Sequence, residues 1–427
     1  MKGSSTSHYL VKLLSFIHSN VDKKDPNAVV LVLLDLAKAY NRGSPKNVIL
    51  DLFDMHVPGY LLAIISSYMT NRKMQLKYNG AWSDIQDMPG SFSQGCYLFM
   101  ILFIVQFNGA LLRPPVPKCI CSLSREMCQK GRRDFIRERD RSNPERMTAK
   151  FVDDLSAAAT YDLKEVVEEV VPEKLPVTYH ERRGHKVKSS KHTVQQMVDE
   201  FHEFVVKSDF QVSEEKCEVL IFNFSNTYSF PPNIKIGSSE IIKEVTFSKI
   251  LGVIIQSDLR WDRNTEYVFS KAANKIGLLR RLRIYISDIE ILKDFYIKEI
   301  RSLLEYAVPV WYSSITLEQS KHIEKIQKIS ISILMNNWTL PYYVKCTLLS
   351  LEPLYLRRKE LALAFSIRTA SNPKHSDFFK RKESQYNTRS RGLYFDQDKS
   401  RSKRNYTSTL NSLTRDLNAH IKSKTRS

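Results

Sequence analysis

The sequence predicts an α+β protein, with a sheet-bearing first part and a helix-only second part. Three observations carry that reading. The apolar run Val29-Val30-Leu31-Val32-Leu33-Leu34 ends abruptly at Asp35, and a near-continuous run of that length reads as a strand buried on both faces. Strand-favouring residues flank an acid pair in Lys150-Phe151-Val152-Asp153-Asp154-Leu155, which reads as a hairpin with Asp-Asp at its turn. From Trp261 onward only helical periodicity remains: Phe269, Ala272, Ile276, Leu279 and Leu282 form one stripe, and Ile323, Ile326, Ile329, Ile333 and Leu334 another.

The totals narrow the function classes. The chain has 427 residues and 42% hydrophobic content, enough for two or three domains with real cores. A formal charge of +19 implies a polyanionic partner, nucleic acid before an acidic membrane. The longest apolar run, residues 98–105, is too short to span a bilayer and lacks signal-peptide flanks, so no membrane partner is expected. The six cysteines follow no disulfide framework and point to free thiols in a reducing compartment, nucleus or cytoplasm, not to secretion. Cys119, Cys121 and Cys128 lack a fourth ligand at zinc spacing, and His180 with His185 is a weak pair, so no structural zinc is expected.

In order along the chain, residues 1–28 are polar around one apolar helical patch, Tyr9, Leu10, Leu13, Leu14, Phe16 and Ile17. After the Asp35 strand, Pro45 opens one helix and Pro58 stands at the start of a second. Met74-Gln75-Leu76-Lys77-Tyr78 alternates like a half-buried strand. Pro89-Gly90-Ser91-Phe92-Ser93-Gln94-Gly95-Cys96 is a loop opening onto an apolar helix through Asn108, and such a helix start favours phosphate. Residues 112–148 and 162–191 read as insertions. Val194, Met197, Val198, Phe201 and Val205 mark an amphipathic helix; Lys216 to Phe222 reads as a strand, and residues 245–255, with Gly252, as a hairpin. Beyond Asn372-Pro373 the chain turns basic, with Lys380-Arg381-Lys382 and Arg401-Ser402-Lys403-Arg404, and reads as a flexible tail.

The acids carry the chemistry. Two adjacent carboxylates repel by roughly 4 kcal/mol at ~4 Å in a surface-like dielectric. An Asp-Asp turn by itself is an ordinary exposed feature, and Asp35 alone could cap a following helix. Together they are the ligand set for two Mg²⁺ ions roughly 3.5–4 Å apart that clamp a phosphoryl transfer. Two basic sets lie on the later helices: Arg280, Arg281 and Arg283, and Lys321, Lys325 and Lys328. Each reads either as a solvated face or as a phosphate contact, and the total charge favours the phosphate contact.

Leu34-Asp35-Leu36-Ala37-Lys38-Ala39-Tyr40-Asn41, then Ser93-Gln94-Gly95, then Phe151-Val152-Asp153-Asp154 resembles, in this order, the reverse transcriptase domain of non-LTR (LINE-type) retrotransposons. Val57-Pro58-Gly59-Tyr60, Glu215-Lys216-Cys217, Lys249-Ile250-Leu251-Gly252-Val253, Leu259-Arg260-Trp261 and Ala307-Val308-Pro309-Val310-Trp311 continue the likeness over roughly residues 1–370.

The resemblance implies a right-hand polymerase: a palm of split β-α-β type, an antiparallel sheet with helices on one face, at 29–258, and a helical thumb at 259–372. It implies RNA-directed DNA polymerase activity, with an RNA template, a DNA primer or target, and dNTPs as partners. Asp35, Asp153 and Asp154 match the ligands of two Mg²⁺ ions, with Mn²⁺ as a substitute. Leu36 matches a carbonyl donor, Tyr40 the gate that selects deoxynucleotides, Gln94 and Gly95 the loop against the incoming nucleotide. Lys216 matches the basic residue near the leaving pyrophosphate, and hairpin 245–255 the primer grip. Ser93 stands where the family usually has Pro, Phe99 where it has a small residue, and Arg42-Gly43-Ser44-Pro45 where Arg-x-Asp-His is commoner. The likeness starts late in the family pattern, so residues 1–28 are expected to be a remnant of the fingers, and the chain part of a longer element protein or a relic of one. Two alternatives stand beside the enzyme: a protein that binds nucleic acid without turnover, and an interaction protein built on the later helices.

Overall fold

The computed structural model describes residues 5–22, 28–37, 43–88, 92, 96–112, 146–151, 154–161, 190–207, 210–224, 233–237, 240–375, 377–379, 395–396 and 407–426. The helices are α1 (Thr6–Val21), α2 (Pro45–Asp54), α3 (Gly59–Met69), α4 (Tyr97–Leu112), α5 (Ser190–Lys207), α6 (Asp262–Tyr285), α7 (Ile289–Phe295), α8 (Ser302–Glu305), α9 (Val308–Trp311), α10 (Leu317–Met335), α11 (Tyr342–Leu348), α12 (Leu354–Ala370) and α13 (Thr409–Arg426). The strands are β1 (Ala28–Leu34), β2 (Lys73–Met74), β3 (Lys77–Tyr78), β4 (Ala81–Trp82), β5 (Gln86–Asp87), β6 (Arg146–Phe151), β7 (Asp154–Tyr161), β8 (Glu218–Phe222), β9 (Lys235–Ile236), β10 (Glu240–Ile241), β11 (Lys243–Glu244), β12 (Phe247–Ile250) and β13 (Val253–Gln256). They fall into two compact units, one of residues 30–219 with 227–245, the other of 1–29, 220–226 and 246–427.

The first unit is organised by a five-stranded sheet of order β11-β8-β1-β7-β6. β1 is its middle strand, and every residue but Leu33 is buried, as an uninterrupted Val/Leu run requires. β6 and β7 pair antiparallel, whereas β11 runs parallel to β8, with Lys243 opposite Glu218. The sheet is therefore mixed, which corrects the antiparallel expectation. The chain between these two strands passes through the β9–β10 ribbon, the longer connection that a parallel pair needs.

The helical stripes of this unit mostly face its core. Val194, Met197, Val198, Phe201 and Val205 of α5 are all buried, and α5 packs on β7. Helix α2 starts as its sequence dictates, with Pro45 at the first turn and the Ser44 hydroxyl accepting from Asn47 N–H at 3.4 Å. It packs on α4, where the buried Gln106 Oε1 accepts from Ser44 N–H at 3.1 Å. Gly43 has no alternative here: a Cβ at that position would stand 1.9 Å from the Phe92 ring.

Two local expectations change. Residues 74–78 are not one half-buried strand, because β2 and β3 are two-residue strands in separate ribbons with exposed side chains. Lys216 precedes its strand in a 3₁₀ turn, Glu214–Lys216, and β8 begins at Glu218. Helix α3 forms where its periodicity predicts but buries only Met69. Periodicity reports the helix, not whether a partner covers its face.

In the second unit, α1 packs against α9 and α13, and its Leu10, Val11, Leu14 and Ile17 are buried. Residues 409–426 are a docked helix, not the flexible stretch expected. Leu413 and Leu417 are buried, and Thr409 Oγ1 donates to Val310 O at 2.6 Å. The apolar positions are too sparse among polar ones to stand out in the sequence. The basic segments 380–382 and 401–404 lie outside the described residues.

Helix α10 starts on a capping box: Thr316 Oγ1 accepts from Gln319 N–H at 3.1 Å, and Gln319 Oε1 accepts from Thr316 N–H at 2.7 Å. It packs on α6 through Ile323, Ile326 and Leu334. Its buried Glu324 accepts from the N–H groups of Leu354 (2.9 Å) and Tyr355 (3.1 Å) and from the Tyr342 hydroxyl, and so caps α12. A π-turn, Tyr296–Arg301, aims the Tyr296 hydroxyl at Gln327 Oε1, 2.5 Å away.

Candidate functional site

Asp35 follows the last residue of β1. Its backbone is fixed by a bridge between Leu36 and Val212, in which Ser213 N–H donates to Asp35 O (2.9 Å) and Ala37 N–H to Gln211 O (2.7 Å). That bridge occupies the groups on either side of Leu36 and leaves the Leu36 carbonyl out of it. The side chain of Asp35 is mostly shielded. Its Oδ2 lies 3.2 Å from Lys216 Nζ and takes no hydrogen bond from the described residues. The Lys216 side chain is 70% exposed, so this cation can move away without a burial cost.

The 3₁₀ turn that presents Lys216 is closed by Cys217 N–H donating to Glu214 O at 3.1 Å. Cys217 itself is buried, and burial pushes its thiol up to about 11 against the pull of a hydrogen bond from the Asp35 backbone. A thiol held protonated in this way is a poor nucleophile near neutral pH. The charged groups of this corner are the Asp35 carboxylate and the Lys216 ammonium.

Asp154 stands on the neighbouring strand pair. β7 lies beside β1 in the sheet, and Asp154 is its first residue, paired with Phe151 of β6. Asp154 is thus in the strand and not in the turn, as the sequence had suggested. Asp153, Tyr40, Gln94 and Gly95 lie outside the described residues. Among the described residues no three His, Cys, Asp or Glu side chains come together to hold a metal ion; what is described is a carboxylate at the end of a buried strand, with one shielded oxygen that takes no hydrogen bond from the described residues and faces an exposed ammonium.

Phe99 is turned inward. It is buried against Tyr68 (5.3 Å between ring centroids) and Phe92 (5.9 Å), with the Arg72 guanidinium 4.4 Å above its ring. The bulky ring is part of the α4 core.

The second unit carries a basic and aromatic surface, of which the sequence reading named the hairpin with Lys249 but not Arg263, Tyr267 or Lys271. Strand β12 alternates outward and inward, which exposes Phe247 and Lys249. The hairpin turns through Leu251 and Gly252, both at positive φ (47° and 84°), the two-residue turn that matches strand twist. Helix α6 places Arg263 4.0 Å from the Phe247 ring, and Lys249 and Lys271 stand 5.0 and 4.7 Å from the Tyr267 ring. Hydrogen bonds from Lys249 and Lys271 hold the Tyr267 hydroxyl below its usual range. The readable signal was the period-two alternation of Phe247 and Lys249.

Of the basic residues expected to meet phosphate, Arg280 and Arg281 are exposed on α6, as are Lys321, Lys325 and Lys328 on α10. Arg283 is already engaged: its Nη1 donates to Ile286 O at 3.2 Å, so it caps the end of α6. Lys328 Nζ sits 5.2 Å from the Tyr342 ring.

No protein-family model and no curated protein sequence matches the chain. Among solved structures it is similar to the telomerase of Candida tropicalis in complex with a fragment of telomeric RNA (10% identity, TM-score 0.37), covering 88% of this chain and 52% of that one. The same telomerase without RNA gives 12% identity and a TM-score of 0.38, covering 84% and 50%. Telomerase of Candida albicans with telomeric RNA gives 10% and 0.33, covering 87% and 52%. The chain thus spans about half the length of these structures. Likenesses at such TM-scores carry no argument about its activity.

Proposed function

We propose that the chain carries the carboxylate site of an RNA-directed DNA polymerase of the non-LTR retrotransposon type, joining a dNTP to a primer 3′-OH on an RNA template. The observation that carries the reading is Asp35: a carboxylate at the end of the central buried strand, one oxygen without a hydrogen bond from the described residues, faced by Lys216 at 3.2 Å. The family's collinear motifs give this acid its company, Asp153 and Asp154. Asp35, Asp153 and Asp154 would hold two Mg²⁺, or Mn²⁺ in their place. When bound, such ions lower the pKa of the primer hydroxyl and neutralise triphosphate charge.

The chain's own groups do the rest. Lys216, whose side chain is exposed beside Asp35, would reach the leaving pyrophosphate. Tyr40 gates the sugar, Gln94 and Gly95 support the nucleotide, and the Leu36 carbonyl adds a donor beside Asp35. The hairpin 245–255 holds the primer, helped by Lys249 and Arg263. The test is primer extension on an RNA template with dNTPs and Mg²⁺, with Asp35→Asn as the control. Extension that Asp35→Asn abolishes supports the reading; extension it leaves intact overturns the site.

A second reading, nucleic-acid binding without turnover, is favoured by the Lys249, Arg263, Lys271 surface with its two rings. Salt-sensitive RNA or DNA binding with no extension would select it.

A further inference from the structure

The β12–β13 hairpin is a sheet of its own, two strands of four residues, and a two-stranded ribbon has little rigidity by itself. Its inner side chains, Ser248, Ile250, Val253 and Ile255, are buried. The second strand is tied to the start of α6. Arg263 N–H donates to Gln256 Oε1 at 2.9 Å, and Ile254 N–H to Oδ1 of the buried Asn264 at 3.1 Å. Neither bond involves the turn itself, Leu251-Gly252.

The turn is held from elsewhere. The Tyr306 hydroxyl donates to Leu251 O at 2.7 Å, across 55 residues of chain. The ring closes on Gly252: a Cβ there would stand 3.0 Å from Tyr306 Cε1 and 3.3 Å from its hydroxyl oxygen. Tyr306 is firmly mounted between α8 and α9. Its carbonyl accepts from Nε1–H of the buried Trp311 at 3.0 Å, and the next residue, Ala307, is buried at φ 51°. A left-handed alanine is a strained conformation that persists only where the surroundings impose it. Tyr306 itself is 43% exposed. A ring this open adds little to the core, so the strained mount is better explained by what the hydroxyl holds.

What the hairpin carries is charge. Lys249, two residues before Leu251, faces outward with its ammonium 5.0 Å from the Tyr267 ring, and the Lys271 ammonium stands 4.7 Å from the same ring. Like charges brought to one ring repel, so the backbone has to impose their convergence. Helix α6 fixes Lys271, and the hairpin fixes Lys249. A hairpin free to swing at its turn would let Lys249 move away from Lys271.

We propose that Tyr306 is a positioning residue for nucleic acid: its hydroxyl locks the hairpin turn so that Lys249 and Lys271 converge on one stretch of phosphate backbone. The proposal rests on the reading of this surface as a nucleic-acid contact. Tyr306 touches no phosphate; it acts through Lys249.

The test is fluorescence anisotropy of the full chain with a labelled RNA–DNA duplex over a salt series. Tyr306→Phe keeps the ring and loses only the hydroxyl. It should weaken binding about fivefold and lower the slope of log K against log salt by about 1, as Lys249→Gln does. Because Tyr306 acts through Lys249, the double variant Tyr306→Phe/Lys249→Gln should bind no more weakly than Lys249→Gln alone. Gly252→Ala, which pushes the ring off the turn, should reproduce the loss, and it replaces Tyr306→Phe where circular dichroism melts show that variant unfolded. A purely structural tyrosine would lower the melting temperature and leave the affinity and slope of the folded protein unchanged; that result overturns the proposal. So does a Tyr306→Phe effect that adds in full to that of Lys249→Gln. If Lys249→Gln/Lys271→Gln binds like the wild type, the nucleic-acid reading of the surface fails and the positioning role falls with it. Lysine variants that weaken binding beside an unaffected Tyr306→Phe overturn the positioning role alone.

Discussion

Asp35→Asn separates a metal site from a structural ion pair. At 3.2 Å the Coulomb energy of the Asp35–Lys216 pair is about 1.3 kcal/mol in water and about 5 kcal/mol at an effective dielectric of 20. The Lys216 side chain is 70% exposed, so the lower end applies and the pair is worth about 0–1 kcal/mol. Without metal, Asp35→Asn should therefore change stability by less than about 1 kcal/mol. A divalent ion that binds only the folded protein stabilises it by about 1.4 kcal/mol at ten times its Kd and about 2.7 kcal/mol at a hundred times. At about 2–4 °C per kcal/mol for a unit of this size, the melting temperature should rise by about 5–10 °C under near-saturating Mg²⁺ or Mn²⁺. Differential scanning fluorimetry over a metal titration reads this directly. The rise should vanish in Asp35→Asn. In Lys216→Met the midpoint should fall by up to about fivefold, because the competing ammonium is gone. A wild-type rise that persists in Asp35→Asn would refute the site.

Glu324→Ala should cost about 3–5 kcal/mol in urea unfolding, since it strands two α12 N–H groups, the Tyr342 hydroxyl and the buried Arg358; a loss under about 1 kcal/mol would show that the network is not coupled. Phe99→Ala should cost about 3–5 kcal/mol in the same assay, because the ring is fully enclosed. Lys249→Gln with Lys271→Gln should weaken duplex binding and reduce the slope of log K against log salt by about 2, and an unchanged slope would remove both phosphate contacts. The last prediction concerns His8, held down to about 4 first by burial and then by the charges of His375 and Arg368. Because its folded pKa lies below the unfolded value, the unfolded chain takes up the proton first. The His8 contribution is complete above about pH 6.5 and lost as the pH falls towards 4. Discounted for its solvent exposure, the loss is about 1 kcal/mol. His8→Phe should flatten that part of the pH–melting curve, and an unaltered curve would show that another group titrates.

Much of this protein was legible as one-dimensional pattern. The β1 run, the α5 stripe and the Leu251-Gly252 turn each depend on residues close in sequence: burial on both faces, period 3.6, or positive φ. The α6 and α10 stripes gave their inward faces for the same reason. The acid at the end of β1 was legible because an apolar strand that stops at Asp has few structural excuses.

Other features depended on which distant residues meet. Helix α3 has the periodicity of a buried helix yet keeps most of its apolar side chains exposed, while α13 is mostly polar yet docks through Leu413 and Leu417. Nothing local distinguishes those outcomes. Lys216 was readable as a basic residue near a strand, but its contact with Asp35 spans far-separated segments joined by the Leu36–Val212 bridge. The sequence by itself determined the elements, the charge and the candidate acids, because these follow from residue type and spacing. The tertiary structure decided which faces were covered and which charges were paired, because those depend on packing between residues that the chain keeps far apart.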